Sequence, residues 1–278
     1  MSESPTQPDA RPDSPIVSLN DRREVEVWNA LQADAERCVA HEPQLAPLLN
    51  ALIVRPPDFA SGLSAALGRK LRSELIVAEA LQDVVLQAMA ADPAIRRSAL
   101  ADLQAVRERD PATRGYLTPF LHFKGFHALQ WQRVAHWLWR RGRTDFALFL
   151  QSRMSEVLGV DIHPAVPIGD GVLLDHGTAI VVGETATIGN NVSILQCVTL
   201  GGTGKERGDR HPKIHDGVLL SAGAIVLGNI VVGRGAKVGA GSVVLKDVPP
   251  CATVAGVPAR IVGWCEEGPP ALSMDHSL

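Results

Sequence analysis

Through the second half of this chain an aliphatic residue returns at every sixth position. The series reads Ile162, Ile168, Leu174, then Val182, Ile188, Ile194, Leu200, and later Ile214, Leu220, Val226, Val232, Val238, Val244. Neither the 3.6-residue period of a helix nor the two-residue alternation of an ordinary strand produces it. A parallel β-helix does: three six-residue units close one coil of a prism, and each leading aliphatic stacks on its equivalent in the next coil. Units such as "VGRGAK" and "VGAGSV" put glycine at corners where other residues would be strained. No single coil buries its own apolar face, so the repeats fold only as a stack.

The beat fails twice. Two residues too many lie between Leu174 and Val182, in "LLDHGTAIVVG", the interval that holds Asp175 and His176. After Leu200 the run "GGTGKERGDRHPK", from Gly201 to Lys213, breaks the beat again. Extra residues displace the stack unless they bulge at a corner, and loops on a rigid scaffold are where function concentrates. The insertions come from neighbouring coils and are expected to face one groove.

Upstream the period is helical. "REVEVWNALQADAERCVA" and "SELIVAEALQDVVLQAMAAD" carry apolar residues near helical spacing, and "DPAIRRSALADLQAVRERD" opens on an aspartate before a first-turn proline. A second "RDP" at 109–111 reads as another stop and start. His122, His127 and His136 read as packing or surface positions on helices. The expected organisation is α+β: a disordered tail over 1–19, a helical domain over 20–158, a β-helix over 159–263 and a flexible tail over 264–278.

Composition removes several function classes. A net charge of −3 gives no reason to expect a nucleic-acid partner. No apolar run approaches the roughly 20 residues of a membrane span, and "MSESPTQPDARPDSPIVS" lacks the apolar core of a secretory signal. Cys38, Cys197, Cys251 and Cys265 are scattered without metal-type spacing and read as free thiols in a reducing, cytoplasmic compartment. Cys197 is not read as a nucleophile. "GGTGK" lacks the length and the following Ser/Thr of a phosphate-binding P-loop.

"DIHPAVPIGDGVLLDHGTAIVVGETATIG", "VSILQCVTLGGTGKERGDRHPKI", "VGRGAKVGAGSVVLKDVPP" with "AGVPARIVG", and the helical "AVRERDPATRGYLTPFLHFKGFHALQ" and "HWLWRRGR" closely resemble the serine O-acetyltransferases over about residues 22 to 263. The six-residue repeat alone indicates only the hexapeptide superfamily; the helical stretch and "GGTGK…GDRHPKI" narrow it. The resemblance implies a left-handed β-helix behind a helical domain, and acetyl transfer from acetyl-CoA to the hydroxyl of L-serine, the first step of cysteine synthesis. Such chemistry needs a base, and a neutral imidazole with a reference pKa near ~6.5 suits it.

By the same resemblance His176 is that base and Asp161 its orienting partner. Asp110 and Asp175 hold the serine ammonium, and Arg210 and His211 hold its carboxylate, which a guanidinium fork matches. A backbone N–H near Gly202 or a His211 contact would serve the oxyanion. Acetyl-CoA, a co-substrate and not a resident cofactor, would lie along the wall against the small residues Ala222, Gly223, Ala240 and Gly241. Its polar groups and phosphates would meet Thr203, Lys205, Lys237 and Arg260. The family further implies trimers paired into hexamers, feedback inhibition by cysteine, and a tail that enters O-acetylserine sulfhydrylase, here ending in Leu278 in place of isoleucine. Two other classes compete: a zinc lyase of the β-helix carbonic anhydrase type using His176, His211 and His215, and a non-catalytic scaffold for the sulfhydrylase. An Asp at a solenoid corner is commonly a turn former, His163 reads as structural, and His215 as solvent-facing.

Overall fold

A computed structural model of the chain describes residues 19–204, 207–265 and 268–277. The expectations for most of the N-terminal tail, for Lys205 and for Leu278 fall outside these residues. Eight α-helices come first: α1 Leu19–His41, α2 Ala46–Leu49, α3 Phe59–Leu71, α4 Ala78–Ala91, α5 Pro93–Arg109, α6 Leu117–His122, α7 Lys124–Trp139 and α8 Thr144–Leu158. Asp92 starts α5 as expected, its carboxylate accepting from the Ala94 N–H at 3.1 Å while Pro93 fills the first turn. Trp28, Phe59 and Phe120 meet at tilted and edge-on angles, with centroids 6.0 to 6.4 Å apart. Helix α7 is buried on nearly every face, because α4, α5 and α8 pack around it and the β-helix closes its remaining side.

The strands then wind as three parallel sheets, one per face of the prism. The first holds β1 Val160–Ile162, β3 Ile180–Val182, β6 Thr199–Gly201, β9 Ile225–Leu227 and β12 Val243–Val244. The second holds β4 Thr187–Ile188, β7 Lys213–Ile214 and β10 Val231–Val232. The third holds β2 Leu173–Leu174, β5 Ser193–Ile194, β8 Leu219–Leu220, β11 Lys237–Val238 and β13 Ala252–Gly256, with β14 Ala259–Trp264 antiparallel at its edge. Registers keep the repeat in phase: Leu174, Ile194, Leu220, Val238 and Val254 align and are buried.

Side chains on the other face of the third sheet form a second column, Leu173, Ser193, Leu219, Lys237 and Thr253. This column is buried as well, since the helical domain covers its start and the C-terminal residues cover its middle. The two domains are joined by a buried ion pair. Arg133 of α7 forks onto Asp102 of α5 at 2.9 and 3.0 Å and donates to the carbonyls of Ile168 and Gly169 in the first coil. Asp102 also accepts from the Val172 N–H at 2.9 Å and from Gln130 at 3.0 Å, so every strong polar demand of the pair is met.

Two expectations are corrected. Cys251 and Cys265 are bonded to each other across a Cα–Cα distance of 5.1 Å, so only Cys38 and Cys197 are free thiols. The β13–β14 hairpin brings them together, pairing Ala252 with Trp264 next door. The C-terminal segment, expected to be flexible, forms α9 Pro270–Ser273 with Ala271 fully buried. Among the described residues no helix is long and apolar enough to cross a membrane.

Candidate active site

Each coil turns three corners, and their order decides which loops can meet. The first interruption of the repeat falls where β2 of the third sheet passes to β3 of the first. The equivalent corners lower in the stack each use one left-handed residue, Cys197, Gly223 or Gly241. This corner uses three, His176 (φ 57°), Gly177 (φ 73°) and Ala179 (φ 59°), which is how two extra residues fit without shifting the strands. Glycine is favoured at 177 by its left-handed φ and by the close approach of the Gly125 Cα, 3.0 Å from where a Cβ would lie. His176 is pushed into solvent, its side chain 71% exposed, with Nε2 3.8 Å from the Asp175 carboxylate.

Asp161 stands beside this corner, since the Ala179 N–H donates to Gly159 at 2.7 Å at the head of β1. It makes no hydrogen bond to His176; its carboxylate accepts from Gln151 of α8 at 2.7 Å. Asp110 caps the C-terminus of α5, and its carboxylate accepts the Ala112 N–H at 2.8 Å.

Below His176 the same edge continues through Cys197, Ala222–Gly223 and Ala240–Gly241. Backbone bonds stack these corners directly: Cys197 N–H to Thr178 O at 2.8 Å, Gly223 N–H to Gln196 O at 2.9 Å, and Gly241 N–H to Ala222 O at 2.9 Å. Four of the expected acetyl-CoA residues therefore share one edge with His176.

The second interruption leaves from the opposite edge. It follows β6, whereas His176 precedes β3, and β3 and β6 run parallel as neighbours. Within one chain the insertions thus sit at opposite ends of the strands of one sheet and do not share a groove. The returning loop is held by Thr185, whose hydroxyl accepts the N–H groups of Arg210 (3.0 Å) and His211 (3.1 Å). The Thr185 N–H donates to His211 Nδ1 at 3.2 Å, which assigns the proton of the neutral ring to Nε2. Burial, then the positive charge of Arg210, lowers the His211 pKa and favours this neutral form. Gly183 lies directly beneath the ring, and Gly202 beside it and Arg210.

Arg210 is not free: Nη2 donates to Glu184 at 2.9 Å and Nη1 to the Gly208 carbonyl at 3.0 Å. Its hydrogen bond in turn holds the Glu184 carboxyl below its ordinary pKa. His163 adjoins this edge, its Nδ1 accepting the Ala165 N–H at 3.1 Å and its ring 4.9 Å from that of Trp139. Sequence reading passed over Glu184, Thr185 and Gly183, although "GET" directly follows the slip.

The remaining acetyl-CoA expectations separate. Thr203 lies on the Arg210 edge, against Gly228 of the next coil. Lys237 is turned to another use: its ammonium donates to the Ser277 carbonyl at 2.5 Å and lies 3.6 Å from the Asp275 carboxylate, anchoring the C-terminal segment. Arg260 lies on the exposed β14, bonded to the Ala259 carbonyl. His176, His211 and His215 stand at three different corners, so one chain does not gather the three-histidine set of a zinc lyase.

A three-sided wall of six-residue units, breached by loops at two of its edges, defines the class as a hexapeptide-repeat transferase. A family model described as bacterial transferase hexapeptide (six repeats) matches residues 211–246. A second model, serine acetyltransferase, N-terminal, matches residues 27–131. Serine acetyltransferase of Escherichia coli strain K12 is 56% identical over 250 residues, covering 90% of this chain and 92% of the relative. Two solved structures superpose over nearly their whole length. A serine acetyltransferase in complex with cysteine gives a TM-score of 0.89 at 47% identity, covering 92% of this chain and 99% of the other. The Brucella abortus strain S19 enzyme in complex with coenzyme A gives 0.85 at 48% identity, covering 87% and 96%. The chain belongs to the serine acetyltransferase family, and it is an acyltransferase.

Proposed function

We propose that this chain transfers the acetyl group of acetyl-CoA to the hydroxyl of L-serine at a site assembled from two edges of neighbouring β-helices. The observation that carries the proposal is the separation of the two functional edges. His176 and the column of small corners lie on one, and Arg210, His211 and Gly202 on the other. A three-fold arrangement of copies sets one edge of each prism against the other edge of the next, completing a site that one chain leaves in halves.

In this reading His176 accepts the proton of the serine hydroxyl as its oxygen attacks the thioester carbonyl. The carbonyl electrons move to oxygen, and the carbon–sulfur bond breaks as they return. The CoA thiolate leaves and takes the proton from His176. Asp161, one residue into β1, stabilises the imidazolium once His176 turns inward and Gln151 yields its place. Asp110 and Asp175 accept the serine ammonium. Arg210 and the Nε2–H of His211 supply the donors for the carboxylate, with the Gly202 N–H left for the oxyanion. The pantetheine arm runs down the edge past Cys197, Gly223 and Gly241, where small side chains permit close approach.

Cysteine carries the same ammonium and carboxylate as serine, so it competes for the same donors. Assembly into trimers and paired trimers, a cytoplasmic location suited to an intracellular acyl donor, and tail binding to O-acetylserine sulfhydrylase belong to the same proposal. CoA release with L-serine, homoserine and other alcohols tests it. Serine-dependent release that His176→Ala reduces at least about a thousandfold is expected, the upper range of general-base removal. Release independent of serine would overturn the reading.

A further inference from the structure

Arg109, the last residue of α5, carries a guanidinium into the outer wall of the β-helix, where it is only 7% exposed. Nη1 donates to the Ser193 hydroxyl at 3.2 Å and Nη2 to the Asn191 side-chain carbonyl at 3.1 Å. Both acceptors are neutral, and Nε is buried without a partner. Burial takes the guanidinium out of water, and its two neutral acceptors only partly offset that cost, although the charges of Glu108 and Asp102 also favour the cation. Burial accordingly weakens its hold on the proton.

The wall is shaped to receive it. Gly171 has no side chain to block Asn191, whose Oδ1 would lie 2.6 Å from a Cβ there. Ser193 begins β5, the strand paired with β2, and β2 runs straight into Asp175 and His176. Asp110 follows Arg109 directly and is held on its other side by a tight turn, with the Thr113 N–H donating to the Asp110 carbonyl at 3.0 Å and the Ala112 N–H to its carboxylate. The only element of the helical domain expected to touch substrate is thus pinned to the strand beside the base.

We propose that Arg109 is a positioning residue that fixes the Asp110 carboxylate against the wall of the β-helix by gripping Asn191 and Ser193. This rests on the assignment of Asp110 to the serine ammonium. The grip acts on the serine site, because Asp110, the residue it holds, is assigned to the serine ammonium and to no part of acetyl-CoA.

Steady-state kinetics on the full-length enzyme test it. Arg109→Gln should raise the KM for serine about tenfold and leave the KM for acetyl-CoA within about twofold, with Arg109→Lys falling between. Asn191→Gly, which leaves the helix sequence untouched and suits the left-handed φ of 55° at that corner, should raise the serine KM by a smaller factor of about three. It is a cleaner probe than Ser193, whose hydroxyl also donates to the Ala271 carbonyl of the tail at 2.9 Å. Added to Asp110→Asn, Arg109→Gln should cost nothing further, because the carboxylate it positions is gone. If Asp110→Asn raises the serine KM while Arg109→Gln and Asn191→Gly do not, the positioning role is overturned. Equal losses for both substrates would likewise reduce Arg109 to a purely structural anchor. If Asp110→Asn itself leaves the serine KM unchanged, the ammonium assignment fails and the positioning role falls with it.

Discussion

Gly183→Ala perturbs the proposed carboxylate site through one methyl group. Gly183 does not have a left-handed φ, so its backbone accepts alanine; the closest conflict is with the His211 ring. The added Cβ would lie 2.0 Å from Nε2, 2.2 Å from Cδ2 and 2.7 Å from Cε1 of that ring. To reach the 3.4 Å of ordinary contact, the ring must retreat by about 1.4 Å. Such a retreat breaks its 2.8 and 3.2 Å contacts with Thr185 and withdraws the Nε2–H from the substrate. A hydrogen bond to a charged group is worth about 1.5–3 kcal/mol, so the KM for serine should rise roughly 10- to 150-fold. Initial rates of CoA release across a serine titration measure this, with circular dichroism and oligomer size confirming an intact fold. His211→Ala should do the same, and the double variant should be no worse than His211→Ala alone. A folded Gly183→Ala enzyme with a serine KM within about twofold of the parent would refute the placement of His211 at the carboxylate.

Other consequences follow from the buried polar groups of the helical domain. Burial lowers the His127 pKa from 6.5 to about 4, while its Nε2–H donates to the Phe120 carbonyl at 2.7 Å. Its depressed folded pKa means that only the unfolded chain takes up a proton between those values, so stability is lost as pH falls from about 6.5 to about 4. The full loss is about 3 kcal/mol. In urea titrations at fixed protomer concentration, the difference between parent and His127→Gln should shrink by that amount over this window, and parallel curves would count against it. Asp102→Ala should destabilise by about 3–5 kcal/mol by leaving Arg133 buried and unpaired. Its urea midpoint should fall far more than that of an exposed control such as Asp58→Ala, which loses only a helix cap.

The repeat was legible because its period is a local property of the chain. Outside the two interruptions, every leading aliphatic from Ile162 to Val244 is where a six-residue count puts it and is paired in register, and the slip before Val182 is a real corner of unusual shape. That the two insertions part is less legible, because insertions in neighbouring coils meet only when they fall at the same corner. Leu174 ends the third face of a coil, whereas Leu200 ends the first, and a count of units in threes places the loops on different edges. The bond between Cys251 and Cys265 depends on a hairpin that leaves the six-residue beat, so no spacing rule announced it. Lys237, which the resemblance offers as a cation for CoA, is instead covered and bound by the C-terminal segment. The covering of that position by residues 269–277 is a tertiary fact with no sequence period. Arg109 was hidden for a similar reason: its acceptors, Asn191 and Ser193, are more than 80 residues away.

Subunit complementation tests the central claim, a site divided between the His176 edge of one copy and the Arg210 edge of the next. His176→Ala and Arg210→Ala chains, each inactive alone, are unfolded together, refolded as mixtures and assayed for serine-dependent CoA release. With random equal mixing in a three-fold ring, one interface in four carries both intact edges, so about a quarter of the parental activity should return. Mixtures no more active than the sum of the separate variants, with co-assembly verified, would contradict the divided site and place both edges' work within a single chain.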